Sequence, residues 1–194
     1  MALVLASSSA IRRAMLDAAG VTYEAIAPRV DEPALKAELG TADEIADELA
    51  KAKAADVSAR RPDDDWVIGS DSVVGVEGRL FDKPVSREDA ADHLRSFSGK
   101  SMILTSAVAL ARGGEIAWSS VDSATLHVRA LSDEFIEAYL AAEWPEVGYC
   151  VGVFRLEGRG VQLFERIDGN YFTILGMPLL PLLGALRERE LLLA

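Results

Sequence analysis

The sequence contains little of what disulfide-bonded, zinc-binding and nucleic-acid-binding proteins require. Of its 194 residues, one is cysteine and two are histidine, so an internal disulfide is excluded and a Cys/His zinc site has too few ligands. Basic residues number 20 against 31 acidic ones, a formal net charge of -11. Because phosphate contacts along a nucleic acid need a basic face, we expect no nucleic-acid partner.

Long apolar runs are also missing. The longest, Phe172 to Leu186, is shorter than a membrane span and contains two prolines and two glycines. The first nine residues enter an apolar run with no basic residues ahead of it, unlike a signal peptide. We therefore expect a cytoplasmic protein without a membrane partner. With 50% hydrophobic residues, the chain can bury a substantial core.

Helices are predicted wherever apolar residues recur at helical spacing. The first follows the cap candidates Ser7 to Ser9 and stops at Gly20, and the second opens at a capping box formed by Thr41 and Glu44. Later helices are predicted over Arg87 to Phe97, Asp133 to Ala142 and Leu179 to Arg189.

Strands are predicted between these helices. Gly113 and Gly114 separate two strand-rich stretches as a hairpin, which excludes a purely parallel sheet. A strand-like run from Trp66 to Val76 is interrupted at Ser70, Asp71 and Ser72. The other strands are Ala2 to Ala6, Thr22 to Ala27, Met102 to Ala111, Ile116 to Val128 and Val161 to Ile167. We expect one α/β domain over residues 1–194, with two lobes around a cleft.

Two adjacent arginines, Arg12 and Arg13, fall in the first turn of the first predicted helix. Their charge opposes the positive end of the helix dipole, and a bound anion would reverse that effect. The Ser9 hydroxyl, free backbone N–H groups and guanidinium groups together suit a phosphate site. A surface arginine pair behind a serine cap explains the pattern equally well.

Asp71 and Lys53 are charged residues in apolar surroundings. Aspartate is a poor strand former, and Asp71 could bind a divalent cation, accept a proton from water, or end the strand in an Asx turn with Ser72. Lys53 follows Leu49 by four residues and so lies on the apolar side of its predicted helix, whereas Lys51 points elsewhere. An inward lysine must meet an anion or extend its ammonium to water.

Three other charged residues are weaker candidates. Glu32 and the preceding Asp31 could supply metal-binding oxygens, although exposed acidic pairs are common in so acidic a chain. Lys83 is a turn cation before Pro84. Glu157 lies in a glycine turn, which suits a ligand or an ordinary hairpin.

Taken in order, these segments resemble the Maf family of nucleoside triphosphate pyrophosphatases. The resemblance rests on LASSSAIRRAML from Leu5, Val30 to Glu32, Lys53-Ala54, VIGSDSVV from Val67, Lys83-Pro84, Ser98 to Lys100, the strand at Thr105, EGRGVQLFERIDG from Glu157 and LGMPL from Leu175. It implies a cytoplasmic homodimer with an elongated mixed β-sheet flanked by helices and a central cleft, related to the inosine triphosphatase fold.

The resemblance also implies a reaction. Members hydrolyse the bond between the α and β phosphates of a nucleoside triphosphate, releasing a nucleoside monophosphate and pyrophosphate with the help of a divalent cation, Mg²⁺ or Mn²⁺. Asp71 takes the proton-acceptor position, and Glu32 with Asp71 would hold the metal. The phosphate ligands would be Ser9, Arg12, Arg13, Lys53 and Lys83.

Three positions bear on which nucleotide base the protein recognises. Members that act on thymidine and uridine triphosphates have Arg where Ile11 lies, Thr at Ser72 and Gln at Glu157, so this chain more closely resembles those that prefer 7-methyl-GTP. The Glu157 carboxylate could accept hydrogen bonds from the N1–H and exocyclic amine of guanine. The alternatives are a dTTP/UTP-preferring or broad house-cleaning pyrophosphatase, and a non-enzymatic nucleotide sensor that acts in division arrest.

Overall fold

The computed structural model describes residues 1–193, in which helices and strands intermix along the chain. The strands are Leu3–Ala6 (β1), Glu24–Ala25 (β2), Trp66–Val76 (β3), Arg79–Phe81 (β4), Ser101–Arg112 (β5), Glu115–Val128 (β6) and Phe164–Asp168 (β7). The helices are Ala10–Ala18 (α1), Glu32–Glu38 (α2), Ala42–Ser58 (α3), Arg87–Phe97 (α4), Asp133–Glu143 (α5), Tyr171–Ile174 (α6) and Leu179–Glu188 (α7). None of the helices described has the length and apolar character that a membrane span requires.

The strands form one mixed sheet. Their order is β2-β1-β3-β5-β6-β7, and β4 pairs with β3 off this path. β1 is parallel to both β2 and β3, with Leu5 opposite Ile68, whereas β4 and β7 are antiparallel to their neighbours β3 and β6. The predicted mixed sheet in an α/β fold is therefore confirmed.

The chain divides into two compact units. The first comprises Met1–Ser72, Thr105–Asp122 and the stretch from Tyr171 onward, and the second comprises Val73–Leu104 and Ser123–Asn170. β3 passes from the first unit into the second after Ser72, so Asp71 belongs to the first. The single domain with two lobes around a cleft stays a prediction.

The first unit packs helices against both faces of its strands. Successive side chains of β1 point to opposite faces, so Leu5 packs with Leu16 of α1 and Leu182 of α7, while Val4 and Ala6 pack with Val57 of α3. At about 25 cal/mol per Å² of apolar surface removed from water, each fully buried Leu or Val stabilises the fold by about 2 kcal/mol. This packing fixes α1 and α3 against the sheet.

A stripe of small residues lets α3 approach β3 closely. Ala46, Ala50 and Ala54 are spaced by four residues on one side of the helix and are completely buried. Ala50 and Ala54 lie against Gly69, where an added Cβ would be 2.1 Å from the Ala50 carbonyl oxygen and 2.5 Å from the Ala54 backbone nitrogen. Only glycine fits there. The contact brings Lys53, the residue before Ala54, beside the part of β3 that contains Asp71.

Replacing Gly69 is expected to destabilise the protein. Gly69→Ala must force α3 away from β3, because its methyl group meets backbone atoms that cannot rotate aside, and we expect a loss of about 3 kcal/mol in unfolding free energy. Gly75→Ala, on the same strand, is the matched control, since its Cβ would lie 3.5 Å from Leu80 Cδ2 and 3.8 Å from the Arg79 carbonyl oxygen, both ordinary contact distances. Urea denaturation of both variants measures the difference, and equal midpoints would contradict the close approach.

Several predicted elements need correction. The strand predicted over Trp66 to Val76 is confirmed with those bounds, but the Asx turn at Asp71 is wrong, because the polar residues Ser70, Asp71 and Ser72 do not end β3. Their polar groups have partners, as Ser70 Oγ donates to the Ala107 carbonyl oxygen at 2.8 Å. The predicted strand from Val161 is also partly wrong, because Arg159–Leu163 forms a 3-10 helix before β7. The Thr22 to Ala27 strand shortens to β2.

The helix α2 was not predicted. It has seven residues and no buried side chain, so it lacks the apolar period by which helices are found in sequence. Its start is nevertheless marked, because Asp31 is the N-cap and accepts a hydrogen bond from the Ala34 backbone N–H at 3.1 Å, and Pro33 lies in the first turn. α2 carries Glu32 at its first position.

Candidate functional site

Lys53 joins two carboxylates in the first unit. Its ammonium donates to Asp71 Oδ1 at 2.5 Å and lies 2.8 Å from Glu32 Oε1. The side chains of Lys53 and Asp71 are 9% and 10% exposed, whereas that of Glu32 is 43% exposed. A buried charge must be paired, and this pairing explains how α3 and β3 tolerate a lysine and an aspartate facing inward. Lys53 was expected either to meet an anion or to extend its ammonium to water, and the structure shows that it contacts an anion.

Arg12 lies beside this group. Its Nε donates to the carbonyl oxygen of Gly176 at 2.9 Å, and its Nη2 donates to Ser72 Oγ at 3.1 Å. Burial lowers the pKa of the Arg12 guanidinium, against the opposing charges of Asp71 and then Glu32. Two cations and two carboxylates therefore act on one another in the first unit.

The N-cap of α1 positions Arg12 in the first turn. Among the three serines that precede the helix, Ser9 is the N-cap, and its half-buried Oγ accepts from the Arg12 backbone N–H at 3.4 Å. Ser7 Oγ in turn accepts from the Ser9 backbone N–H at 3.1 Å. The first turn contains no acidic residue, so the positive end of the helix dipole and the two arginines together make the start of α1 electrostatically positive.

Arg13 and Ile11 flank Arg12 on the helix. Arg13 is exposed. Its charge acts on the phenol of Tyr23, whose pKa is raised first by burial and then by a hydrogen bond to Asp17, with Arg13 opposing that rise. Ile11 is half-buried. The contacts described for residues 1–193 thus join Arg12, but not Arg13, to the group around Lys53.

The carboxylates of Glu32 and Asp71 converge on one cation position, now held by the Lys53 ammonium. Among residues 1–193, no group of three or more His, Cys, Asp or Glu side chains is arranged to hold a metal ion. Mg²⁺ usually binds through one or two carboxylates and the phosphates of a substrate. A two-carboxylate set fits that mode of binding.

Lys83 and Glu157 belong to the second unit. Both are exposed, and Glu157 Oε1 accepts from Arg155 Nε at 3.4 Å. Both act on the half-buried Cys150, whose pKa is raised to about 11 by burial and then by Glu157, with Arg155 and Lys83 opposing. The thiol therefore stays protonated at neutral pH and is not a nucleophile.

Arg12 and its partner Ser72 contact residues that no local pattern in the sequence identified as their partners. Gly176 belongs to the LGMPL motif, but the motif alone does not indicate that its carbonyl oxygen contacts Arg12. In the structure its backbone adopts a φ of +106°. Ser106 is completely buried and lies 2.8 Å from Ser72, oxygen to oxygen. A serine in the middle of an apolar strand such as β5 was the one available sequence signal.

Comparison with known proteins agrees with the resemblance seen in sequence. A family model described as Maf-like protein matches residues 2–189. The 7-methyl-GTP pyrophosphatases of Rhizobium etli and Rhizobium meliloti are each 48% identical over 190 residues, which cover 96% of this chain and 95% of the relative. A nucleoside triphosphate pyrophosphatase of Granulibacter bethesdensis is 46% identical over 196 residues, covering 99% of each chain.

A solved structure of a nucleoside-triphosphatase / dITP/XTP pyrophosphatase from Mycobacterium abscessus shares 16% identity at a TM-score of 0.38, over 68% of this chain and 76% of that one. A likeness of that size supports no argument about the site. The family match extends over nearly the whole chain and includes the residues around Lys53 and Arg12. This chain therefore belongs to the Maf-like protein family.

Proposed function

We propose that this protein is a nucleoside triphosphate pyrophosphatase that cleaves the bond between the α and β phosphates, releasing a nucleoside monophosphate and pyrophosphate. The observation that carries the proposal is the buried contact of Lys53 with Asp71, with Arg12 beside it. A cation for phosphate and a carboxylate for a proton lie together there. The names of relatives that match over nearly their full length support the same activity.

Arg12 and Lys53 bind the phosphates in this proposal, together with Ser9 and Arg13 at the start of α1. Guanidinium groups and free N–H groups of a helix N-terminus both recognise phosphate oxygens. The protein as a whole carries a charge of -11, which repels a polyanionic nucleic acid. A local group of cations can still capture one small triphosphate. For Lys83 of the second unit we propose a further phosphate contact.

Glu32 and Asp71 would hold Mg²⁺, or Mn²⁺, when it arrives with the nucleotide. Bound there, the metal would lower the pKa of a water molecule and neutralise phosphate charge. When the phosphates draw the Lys53 ammonium toward them, Asp71 gains an oxygen with which to take the proton of the water that attacks the α phosphorus. Arg12 and Lys53 then stabilise the charge that develops on the departing pyrophosphate.

For the base we propose 7-methylguanine. Glu157 can accept from N1–H and the exocyclic amine of a guanine, whereas it offers no donor to a pyrimidine edge. Arg155 holds that carboxylate from one side. Two relatives at 48% identity carry the name 7-methyl-GTP pyrophosphatase, which favours this base over a pyrimidine.

We also propose that the protein works in the cytoplasm as a homodimer.

Product analysis over a panel of nucleotides tests the function. Purified protein with Mg²⁺ is given 7-methyl-GTP, GTP, dTTP and UTP, and products are separated by chromatography. We expect pyrophosphate and the monophosphate, with the highest kcat/KM for 7-methyl-GTP, by roughly tenfold or more over the pyrimidines. An identically purified Asp71→Asn protein controls for contaminating phosphatases.

Each other outcome identifies a rival. Preference for dTTP and UTP would replace the proposed base and keep the reaction. Release of orthophosphate in place of pyrophosphate would contradict the bond cleaved. Nucleotide binding without turnover of any member of the panel would favour the non-enzymatic sensor.

A further inference from the structure

Arg12 is held by hydrogen bonds that lead to α6 and the turn after it. We infer that Ser72 and Ser106 are positioning residues for Arg12, fixing its guanidinium before substrate arrives; the role rests on the proposed function. Ser106 is completely buried and therefore acts through its neighbours.

The first anchor is a chain of hydroxyl groups. Arg12 Nη2 donates to Ser72 Oγ at 3.1 Å, and Ser72 Oγ lies 2.8 Å from Ser106 Oγ. Ser106 Oγ donates to the Thr173 carbonyl oxygen at 2.8 Å. Because the Ser106 hydrogen goes to Thr173, its oxygen accepts from Ser72, and all the donors point in one direction. Hydrogen bonds aligned in this way strengthen one another.

The second anchor is the Gly176 carbonyl oxygen. It accepts from Arg12 Nε at 2.9 Å. The Ser70 and Ser72 hydroxyl oxygens also lie near it, at 3.0 Å and 3.2 Å, but the single hydrogen of each is directed to its shorter contact, with Ala107 and Ser106 respectively. Gly176 has φ +106°, and an added Cβ would lie 3.3 Å from Ser72 Oγ and 3.7 Å from Arg12 Nε. The backbone at this turn is thus shaped to bring its carbonyl oxygen to the arginine.

The anchors leave most of the guanidinium for a ligand. Arginine has five N–H donors in a rigid fork, and the two contacts use one at Nε and one at Nη2. A side chain already held in its bound orientation loses less conformational freedom when it binds phosphate. Loosening the anchors should therefore weaken phosphate binding without removing any group that touches phosphate.

A double-mutant cycle tests the inference with inorganic tripolyphosphate as the probe. Ser72→Ala and Ser106→Ala are made in the full chain with Arg12 intact and with Arg12→Lys, and the Kd is measured by titration calorimetry. With Arg12 intact, we expect Ser72→Ala to weaken binding about twentyfold and Ser106→Ala about fivefold. In the Arg12→Lys background, which lacks the guanidinium group, each serine substitution should change the Kd by less than about twofold.

Two further variants separate positioning from folding. Ser72→Thr keeps the hydroxyl and is expected to restore most of the affinity lost in Ser72→Ala. Ser58→Ala removes another buried serine, which accepts from the Gly114 backbone N–H at 3.0 Å, and should leave the Kd unchanged. If Ser106→Ala does not fold, the comparison of Ser72→Ala with Ser72→Thr decides.

Equal losses in both Arg12 backgrounds, or no loss with Arg12 intact, would overturn the positioning role. Failure of the proposed function looks different. In that case wild-type protein would turn over no nucleotide of the panel, while the coupling between Ser72 and Arg12 in tripolyphosphate binding would remain.

Discussion

Asp71→Asn is expected to lower nucleotide turnover on the order of 10² to 10³-fold, with a smaller change in KM. The amide keeps the size of the carboxylate and can still contact Lys53, but it cannot accept the proton of the attacking water. It also removes one of the two carboxylates proposed to hold the metal. The rate of pyrophosphate release at saturating nucleotide and Mg²⁺ measures the effect.

Asp65→Asn is the matched control for Asp71→Asn. Asp65 is a buried carboxylate of the same unit that pairs with Arg61 at 2.8 Å and accepts from the Ala2 backbone N–H at 2.6 Å. Its loss should reduce stability and leave turnover within about twofold, because it lies in a structural ion pair. Near wild-type turnover of a folded Asp71→Asn protein would contradict the role of Asp71 as proton acceptor.

Lys53→Met is expected to have two opposite effects. It removes a cation proposed to bind the phosphates, so kcat/KM should fall on the order of 10²-fold. It also takes the ammonium away from Glu32 and Asp71, which it contacts at 2.8 Å and 2.5 Å. Two carboxylates that no longer share this ammonium should bind Mn²⁺ in the free protein roughly tenfold more tightly than in the wild type.

Electron paramagnetic resonance of free Mn²⁺, titrated with protein in the absence of nucleotide, measures the second effect without any turnover. Lys51→Met, on the same helix, is the control, because Lys51 pairs at the surface with Asp47 at 2.7 Å and Glu48 at 2.8 Å. It should change neither Mn²⁺ affinity nor kcat/KM. A Lys53→Met protein that binds Mn²⁺ no more tightly than wild type would show that the carboxylates do not form the metal position.

Features that depend on near neighbours in the chain could be predicted from sequence. Helical periodicity separated Lys53 from Lys51, and the structure confirms that Lys53 is buried and Lys51 pairs at the surface. The capping box of Thr41 and Glu44 is present as predicted. Both follow from rules that act over three or four residues, which helix geometry alone determines.

The anionic partner of Lys53 could not be predicted in that way. Asp71 lies 18 residues away in sequence, and the two meet because Gly69 admits the small-residue stripe of α3. The sequence suggested three uses for Asp71, and an unbroken β3 removed one of them. Choosing among them required knowing which helix packs on that strand.

The sequence by itself therefore determined the mixed α/β character of the fold, the inward lysine and the arginines at the first turn of α1, because each is a local pattern of period, cap or charge. Tertiary structure alone decided that Arg12 is held by Gly176, 164 residues away, and that Glu32 meets Lys53. The physical reason is that hydrogen bonds and ion pairs form between atoms within about 3 Å, wherever packing brings distant segments together.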